Sequence, residues 1–460
     1  MRAKLYLTLI LTAFPQTVAL MAPNLATGGM HLHEMVSSQT RPADMQLTYT
    51  MKEAVIRALE ANPGVEAKVL LAERARMNIG VAQSVFWPRL SLLATRNRLS
   101  NHGDFGNADE ISSDNTAYGL RTTMPLFAGF THLNAVMQAK LNADVEKERL
   151  RQARLELLST VQLQFLQLLK ARDNLNTAEK SVQRLETQGK IAEAFVRTGM
   201  APRLNVLQNE ADLSAARLEV IRAHNAVENA MAQLGGSLGL PPETTVVYTG
   251  NLRDFGTAAD MPEAEAIQMA LYRRPDLIIA QKSVAVAFKD VAIRKGEYAP
   301  KVDLSWEAMH DNHDYTEHIE NYDDYSRSYW AVGINVSWDI FTGGSTTFGL
   351  LADRRRAESL QKDYENAVNG MRVEVLAALR DIQAAREMTG AADKGVEAAR
   401  EGYAMAQKRF ETNTGSMTDL LTAQMRLTEA ENHVSQAWAE YHSARARFWY
   451  SIGQENPGLR

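Results

Sequence analysis

The chain of 460 residues contains no cysteine. That excludes disulfides, thiolate metal sites and cysteine nucleophiles, fits an oxidising compartment, and leaves no cysteine to carry a lipid anchor. Beyond the amino terminus no stretch reaches the roughly 18 unbroken apolar residues of a membrane helix, so any membrane crossing falls to strands. Prolines number 13, yet none falls in 126–201, 203–240 or 301–456, and helices can run unbroken there. The formal net charge is −5 with no basic stripe carrying interleaved aromatics, which argues against nucleic acid as a partner. No GxxxxGK, HExxH or GxSxG motif occurs, so no catalytic residue, cofactor or metal site is expected and the chain does not read as an enzyme. With 45% hydrophobic and 23% charged residues, it is long enough for a sizeable core and for two or three domains.

Arg2 and Lys4 precede the apolar run Leu5 to Phe14, and small residues follow at Thr17, Ala19 and Ala22. This is the layout of a secretory leader, cleaved after Ala19 or Ala22. Residues 23–46 show no period and read as a linker, in which His31, His33 and Glu34 are polar leader residues rather than metal ligands.

The strongest pattern occurs twice. Leu213, Ala216, Val220, Ala223, Val227, Ala230 and Leu234 step by three and four, as do Leu427, Ala430, Val434, Ala437, Tyr441, Ala444 and Phe448, each 214 positions later. Upstream, Leu168, Ala171, Leu175, Ala178, Val182, Leu185, Gly189, Ala192 and Val196 share that offset with Ile382, Ala385, Thr389, Ala392, Val396, Ala399, Tyr403, Ala406 and Phe410. Two long helix pairs thus follow one duplicated plan. By themselves they also fit a cytoplasmic coiled-coil rod or a helical bundle core. Nearer the start, Thr50 with Glu53 predicts a capping box before a break at Asn62-Pro63; Asp260 with Glu263 predicts the same before Arg274-Pro275.

After Pro88 and Pro300 the period changes to two. Trp330, Val332, Ile334, Val336 and Trp338 alternate with Ala331, Gly333, Asn335 and Ser337; Tyr118, Leu120, Thr122, Met124 and Leu126 repeat the pattern; Val302, Leu304 and Trp306 supply a third strand, and 89–99 a weaker fourth. One face is apolar and aromatic, as lipid-facing barrel strands are, with Trp306, Trp330, Val332, Ile334, Val336 and Trp338 as candidate lipid contacts. A two-sided soluble sheet gives the same alternation, but four strands cannot close a barrel, so in a membrane several chains must share one. The tips at 100–115 and 309–328 read as water-facing loops; His310, His313 and His318 among acids there read as solvated, with a divalent-cation site as the alternative. Turns at 125–130 and 339–344 lead into helices of about 68 residues, roughly 100 Å long. These helices reverse at Thr198-Gly199-Met200 and Thr414-Gly415-Ser416, where glycine permits the turn.

The duplicated plan and the strings NPGV, RRPDL, PLFAGF and TDLLTAQ resemble the TolC-type outer-membrane efflux family over about residues 47–455. The resemblance implies a mainly α fold with a membrane β-barrel and two tandem repeats, each helix, β-hairpin, long helix and helix. It further implies a homotrimer whose 12-stranded outer-membrane barrel continues into a periplasmic α-helical cylinder. The expected layout is leader 1–22, linker 23–46, first repeat 47–257 (strands about 88–101 and 116–127, helical hairpin about 131–239), second repeat 258–456 (strands about 300–310 and 328–341, hairpin about 345–453) and tail 457–460. Implied partners are a periplasmic adaptor, an inner-membrane transporter and outer-membrane lipid in a Gram-negative bacterium. Asp419 matches the aspartate whose ring narrows the family's periplasmic gate; an aspartate capping its helix is the alternative reading, and the equivalent first-repeat position is Asn205. Thr198, Gly199, Met200, Thr414, Gly415 and Ser416 match the turns on which adaptors dock. The family's arginine and tyrosine latch is not carried over, since Thr412 and Met417 stand in that turn. A structural coiled-coil protein anchored by strands, without transport, is the alternative function.

Overall fold

The computed structural model describes residues 47–102, 110–241, 244, 246–255, 261–315 and 324–457. The expected leader and linker, Asp260 and His318 lie outside the described residues. From Thr48 onward the chain forms one unit.

Helix α1 (Met51–Ala61) opens on the expected box: the Glu53 amide donates to Thr50 Oγ1 at 3.4 Å, and the Thr50 amide donates to Glu53 Oε2 at 2.8 Å. Asn62 ends it and caps α2 (Pro63–Gln83), its Oδ1 accepting from the Gly64 and Val65 amides. Pro63 stands at the first helical position, where a missing N–H costs nothing. In the second half α5 (Glu263–Arg273) and α6 (Pro275–Gly296) break at the expected Arg274-Pro275 bond. The expected second box is corrected: α5 starts at Glu263 itself behind Pro262, which has no side-chain acceptor. Glu263 instead sits in the first turn, where a negative charge meets the helix dipole.

Strand β1 (Leu47–Tyr49) and β4 (Val246–Tyr248) form a small sheet, absent from the expected layout because three-residue strands leave no periodic trace. The main sheet runs β2-β3-β5-β6, all antiparallel: β2 (Arg89–His102), β3 (Glu110–Ala128), β5 (Lys301–Tyr315) and β6 (Tyr325–Ser337). Much of both expected loops is therefore strand. Backbone pairing does not depend on side-chain polarity, so the ladders extend past the apolar zone; there Arg96 and Arg98 reach Asp114 at 3.4 and 3.7 Å. At the other end β6 stops at Ser337, short of the expected 341. Its partner β5 begins at Lys301, just after Pro300, which has no amide to extend the ladder.

The long helices are α3 (Thr131–Arg197) and α7 (Ser345–Glu411), with return helices α4 (Leu204–Ser237) and α8 (Met417–Ser451). At 67 residues each, α3 and α7 extend about 100 Å. Seam residues Ala223, Val227, Ala230 and Leu234 on α4, and Leu427, Ala437, Tyr441, Ala444 and Phe448 on α8, are all buried. The two proline breaks place helices end to end. Asn62 Nδ2 donates to the Ser237 carbonyl at 3.0 Å, so α2 starts where α4 ends; Arg274 Nη1 donates to the Ser451 carbonyl at 3.3 Å, so α6 starts where α8 ends. Both α6 and α8 pack against α3 and α7. Among the described residues no helix is long and apolar enough to cross a membrane.

Candidate functional site

The first tip is a glycine-closed helix end. Gly199 takes φ 74°, its amide donates to the Val196 carbonyl at 3.1 Å, and the Met200 amide donates to the Phe195 carbonyl at 2.8 Å. Thr198 Oγ1 donates to the Ala194 carbonyl at 3.0 Å, and the Met200 side chain is 52% exposed. In the second tip the same motif is built on a different residue. Asn413, not Gly415, holds the left-handed position at φ 56°, with its amide on the Phe410 carbonyl and the Thr414 amide on the Arg409 carbonyl at 2.8 Å. Asn413 lies 214 positions after Gly199, on the offset of the helical seams. Gly415 is required for another reason: a Cβ there would lie 2.9 Å from Arg409 Cβ.

Asp419 does not cap α8. Ser416 is the cap, accepting from the Asp419 amide at 3.1 Å, and the Asp419 carboxylate stands exposed in the first turn. Asn205 is half-buried near the start of α4. The two tips are held side by side by Leu185, Ala192, Phe410, Met417, Leu420 and Leu421, with the Phe195 and Phe410 rings 5.6 Å apart.

Above this cluster a polar set joins the hairpins, and sequence reasoning missed it. Arg184 of α3 pairs with Glu431 of α8 at 2.8 Å, both side chains 18% exposed, and its guanidinium lies 5.8 Å from the Tyr403 ring of α7. Gln188 Nε2 donates to the Tyr403 hydroxyl at 3.1 Å, and Gln424 Nε2 to Ser181 Oγ at 3.1 Å. One signal was available. Ser181 and Gln188 flank Leu185 at helical spacing, so they lie next to the apolar seam, where polar side chains need partners.

At the other end of the helices, the register sets Leu90 and Leu92, Tyr118, Leu120 and Met124, Val302, Leu304 and Trp306, and Trp330, Val332, Ile334 and Val336 on one face of the sheet. Trp330 and Val336 are 71% and 67% exposed. Trp306 is half-buried, and Trp338 lies just beyond β6 with its indole N–H on the Tyr298 carbonyl at 3.0 Å. The opposite face is polar, with Arg121 paired to Glu307 at 3.0 Å. Neither the outer edge of β2 nor that of β6 has a partner strand among the described residues.

An amphipathic sheet with two open edges, running directly into helices of this length, defines an envelope channel of the outer-membrane type. Residues 55–240 and 266–454 match the outer membrane efflux protein family. Protein CyaE of Bordetella pertussis is 24% identical over 397 residues, covering 86% of this chain and 82% of that protein. The alkaline protease secretion protein AprF of Pseudomonas aeruginosa is 23% identical over 409 residues, covering 86% and 82%. The solved outer-membrane channel OprN superposes with a TM-score of 0.77 at 20% identity, covering 89% of this chain and 91% of that one. The chain belongs to the outer membrane efflux protein family and is an outer-membrane channel for substrate export in a Gram-negative envelope.

Proposed function

We propose that three copies, each built from two tandem repeats, share one 12-stranded barrel and one periplasmic cylinder, and that cargo enters from an inner-membrane transporter through a periplasmic adaptor. The observation that carries this is the four-stranded sheet with a continuous apolar face and two unpaired edges. In lipid such edges are tolerable only when neighbouring chains pair with them. Trp306, Trp330, Val332, Ile334, Val336 and Trp338 then face lipid, and the Arg121–Glu307 face lines the pore. The periplasmic end is the gate. Asp419 is exposed and free of capping duty, so three copies converge as a ring that repels itself and favours cations, with Asn205 as its uncharged counterpart. The turns Thr198, Gly199 and Met200, and Thr414, Gly415 and Ser416, form the surface offered to the adaptor. Transport requires no chemistry of its own, and the reading includes no catalytic step.

The test is conductance of purified protein in planar bilayers. Wild type is expected to show small, cation-selective steps, and Asp419→Ala a higher conductance with weaker selectivity. Bilayers silent for both would favour a strand-anchored structural protein over a channel.

A further inference from the structure

We propose that the polar face of the sheet carries a divalent-cation site formed by Asp311, His313 and Asn115. This goes beyond the export reading and stands on the sheet alone. Asp311 and His313 are two apart in β5 and so share a face. The register places Asn115 of β3 and Tyr325 of β6 on either side of His313, and Arg327 of β6 opposite Asp311. Directly opposed residues hold their Cβ atoms about 5 Å apart, within reach of a common ion.

The surroundings fix these groups. The His313 ring stacks on Tyr325, centroids 4.9 Å apart at 16°, and lies 6.2 Å from the Tyr315 ring. Arg327 lies over the Tyr325 and Tyr329 rings and holds Asp311 Oδ2 at 3.4 Å. Asp311 is 9% exposed, and its second oxygen, Oδ1, faces His313 Nδ1 at 3.8 Å, too long for a hydrogen bond. Asp311 Oδ1, His313 Nδ1 and Asn115 Oδ1 are all buried without a hydrogen-bond partner. Each of these atoms, buried without a partner, costs about 1–3 kcal/mol, and a cation bound by all three, with His313 Nδ1 as the unprotonated ring nitrogen, would satisfy them.

The donor set selects the ion. Among the described residues no three of His, Asp and Glu converge, so the amide oxygen supplies the third ligand. One imidazole nitrogen with two hard oxygens suits a first-row divalent ion such as Zn²⁺ better than Ca²⁺, which takes oxygens throughout, or Cu⁺, which takes sulfur. Ligands held about 2.1 Å from one ion lie about 3 to 3.5 Å apart, so the Asp311 to His313 contact needs to close by well under 1 Å. Water fills the open positions.

Calorimetric titration of zinc chloride into the detergent-solubilised full chain reads the site. We expect one ion per chain, binding weakened about tenfold or more by His313→Gln or Asp311→Asn. His310→Gln leaves binding unchanged, because His310 lies on the opposite face with its ring against Ser328 and Ser326. His313→Gln removes none of the three Arg327 contacts and decides alone if Asp311→Asn fails to assemble. No heat from wild type, or equal heats from wild type and His313→Gln, overturns the proposal.

Discussion

At the scale of single residues, the second tip separates two demands that glycine meets together elsewhere. Asn413 supplies the left-handed turn, and Gly415 admits the close pass of Arg409. Asn413→Gly is expected to be neutral or slightly stabilising, whereas Asn413→Val costs about 1–2 kcal/mol because a β-branched residue resists positive φ. Gly415→Ala costs about 1 kcal/mol, since the clash is with the Cβ of a helical residue and the backbone must shift. Amide hydrogen exchange confined to 405–425 measures both; equal protection in Asn413→Val and wild type would refute the first. Farther up α8, His442 is 4% exposed between Trp438 and Phe255. Burial first, and then the Arg445 guanidinium, push its imidazole down to about 4 from 6.5. The folded value lies below the unfolded one, so the stability is fully present above about pH 6.5 and is lost as pH falls toward 4, by about 3 kcal/mol at most. Melting temperatures between pH 7 and 4.5 should fall less steeply for His442→Gln than for wild type.

At the scale of elements, the two hairpins are joined through Arg184, Gln188, Tyr403, Glu431, Ser181 and Gln424. An exposed ion pair contributes little, but both partners here are 18% exposed, and removing one strands the other in a poorly solvated place. Glu431→Ala is expected to weaken the join by about 1–2 kcal/mol, and Tyr403→Phe, which loses one hydrogen bond, by about 1. In the channel reading both variants raise the time spent in wider conductance states, Glu431→Ala more. Unchanged single-channel records would place the gate elsewhere. These contacts could not be read from the seams, because a 3,4 spacing says which side of a helix is covered and not which helix covers it.

At the scale of the molecule, the proposed trimer pairs the open edges of β2 and β6 with neighbouring copies. The chain has no cysteine, so introduced thiols report cleanly. Thr95→Cys on β2 combined with Tyr329→Cys on β6 should give a ladder ending at trimer with a flexible bismaleimide, while either single variant should stay uncrosslinked. A ladder running past trimer would indicate open-ended rather than closed association.

Much of this was legible in advance because it rests on local chemistry. The breaks at Pro63 and Pro275 follow from a missing amide, the seams from Leu213 and Leu427 onward from helical period, and the Trp330 to Val336 face from strand alternation. Each was written in residues a few positions apart. What depended on residues far apart in the chain was decided only in three dimensions. The pairing of β3 with β5, the stacking of α2 on α4 through Asn62 and Ser237, the Arg184–Glu431 join and the pairing of Asn115 with His313 all bring together positions more than a hundred residues distant. Periodicity determines which face of an element is buried or wet. Only the packed chain determines what that face meets.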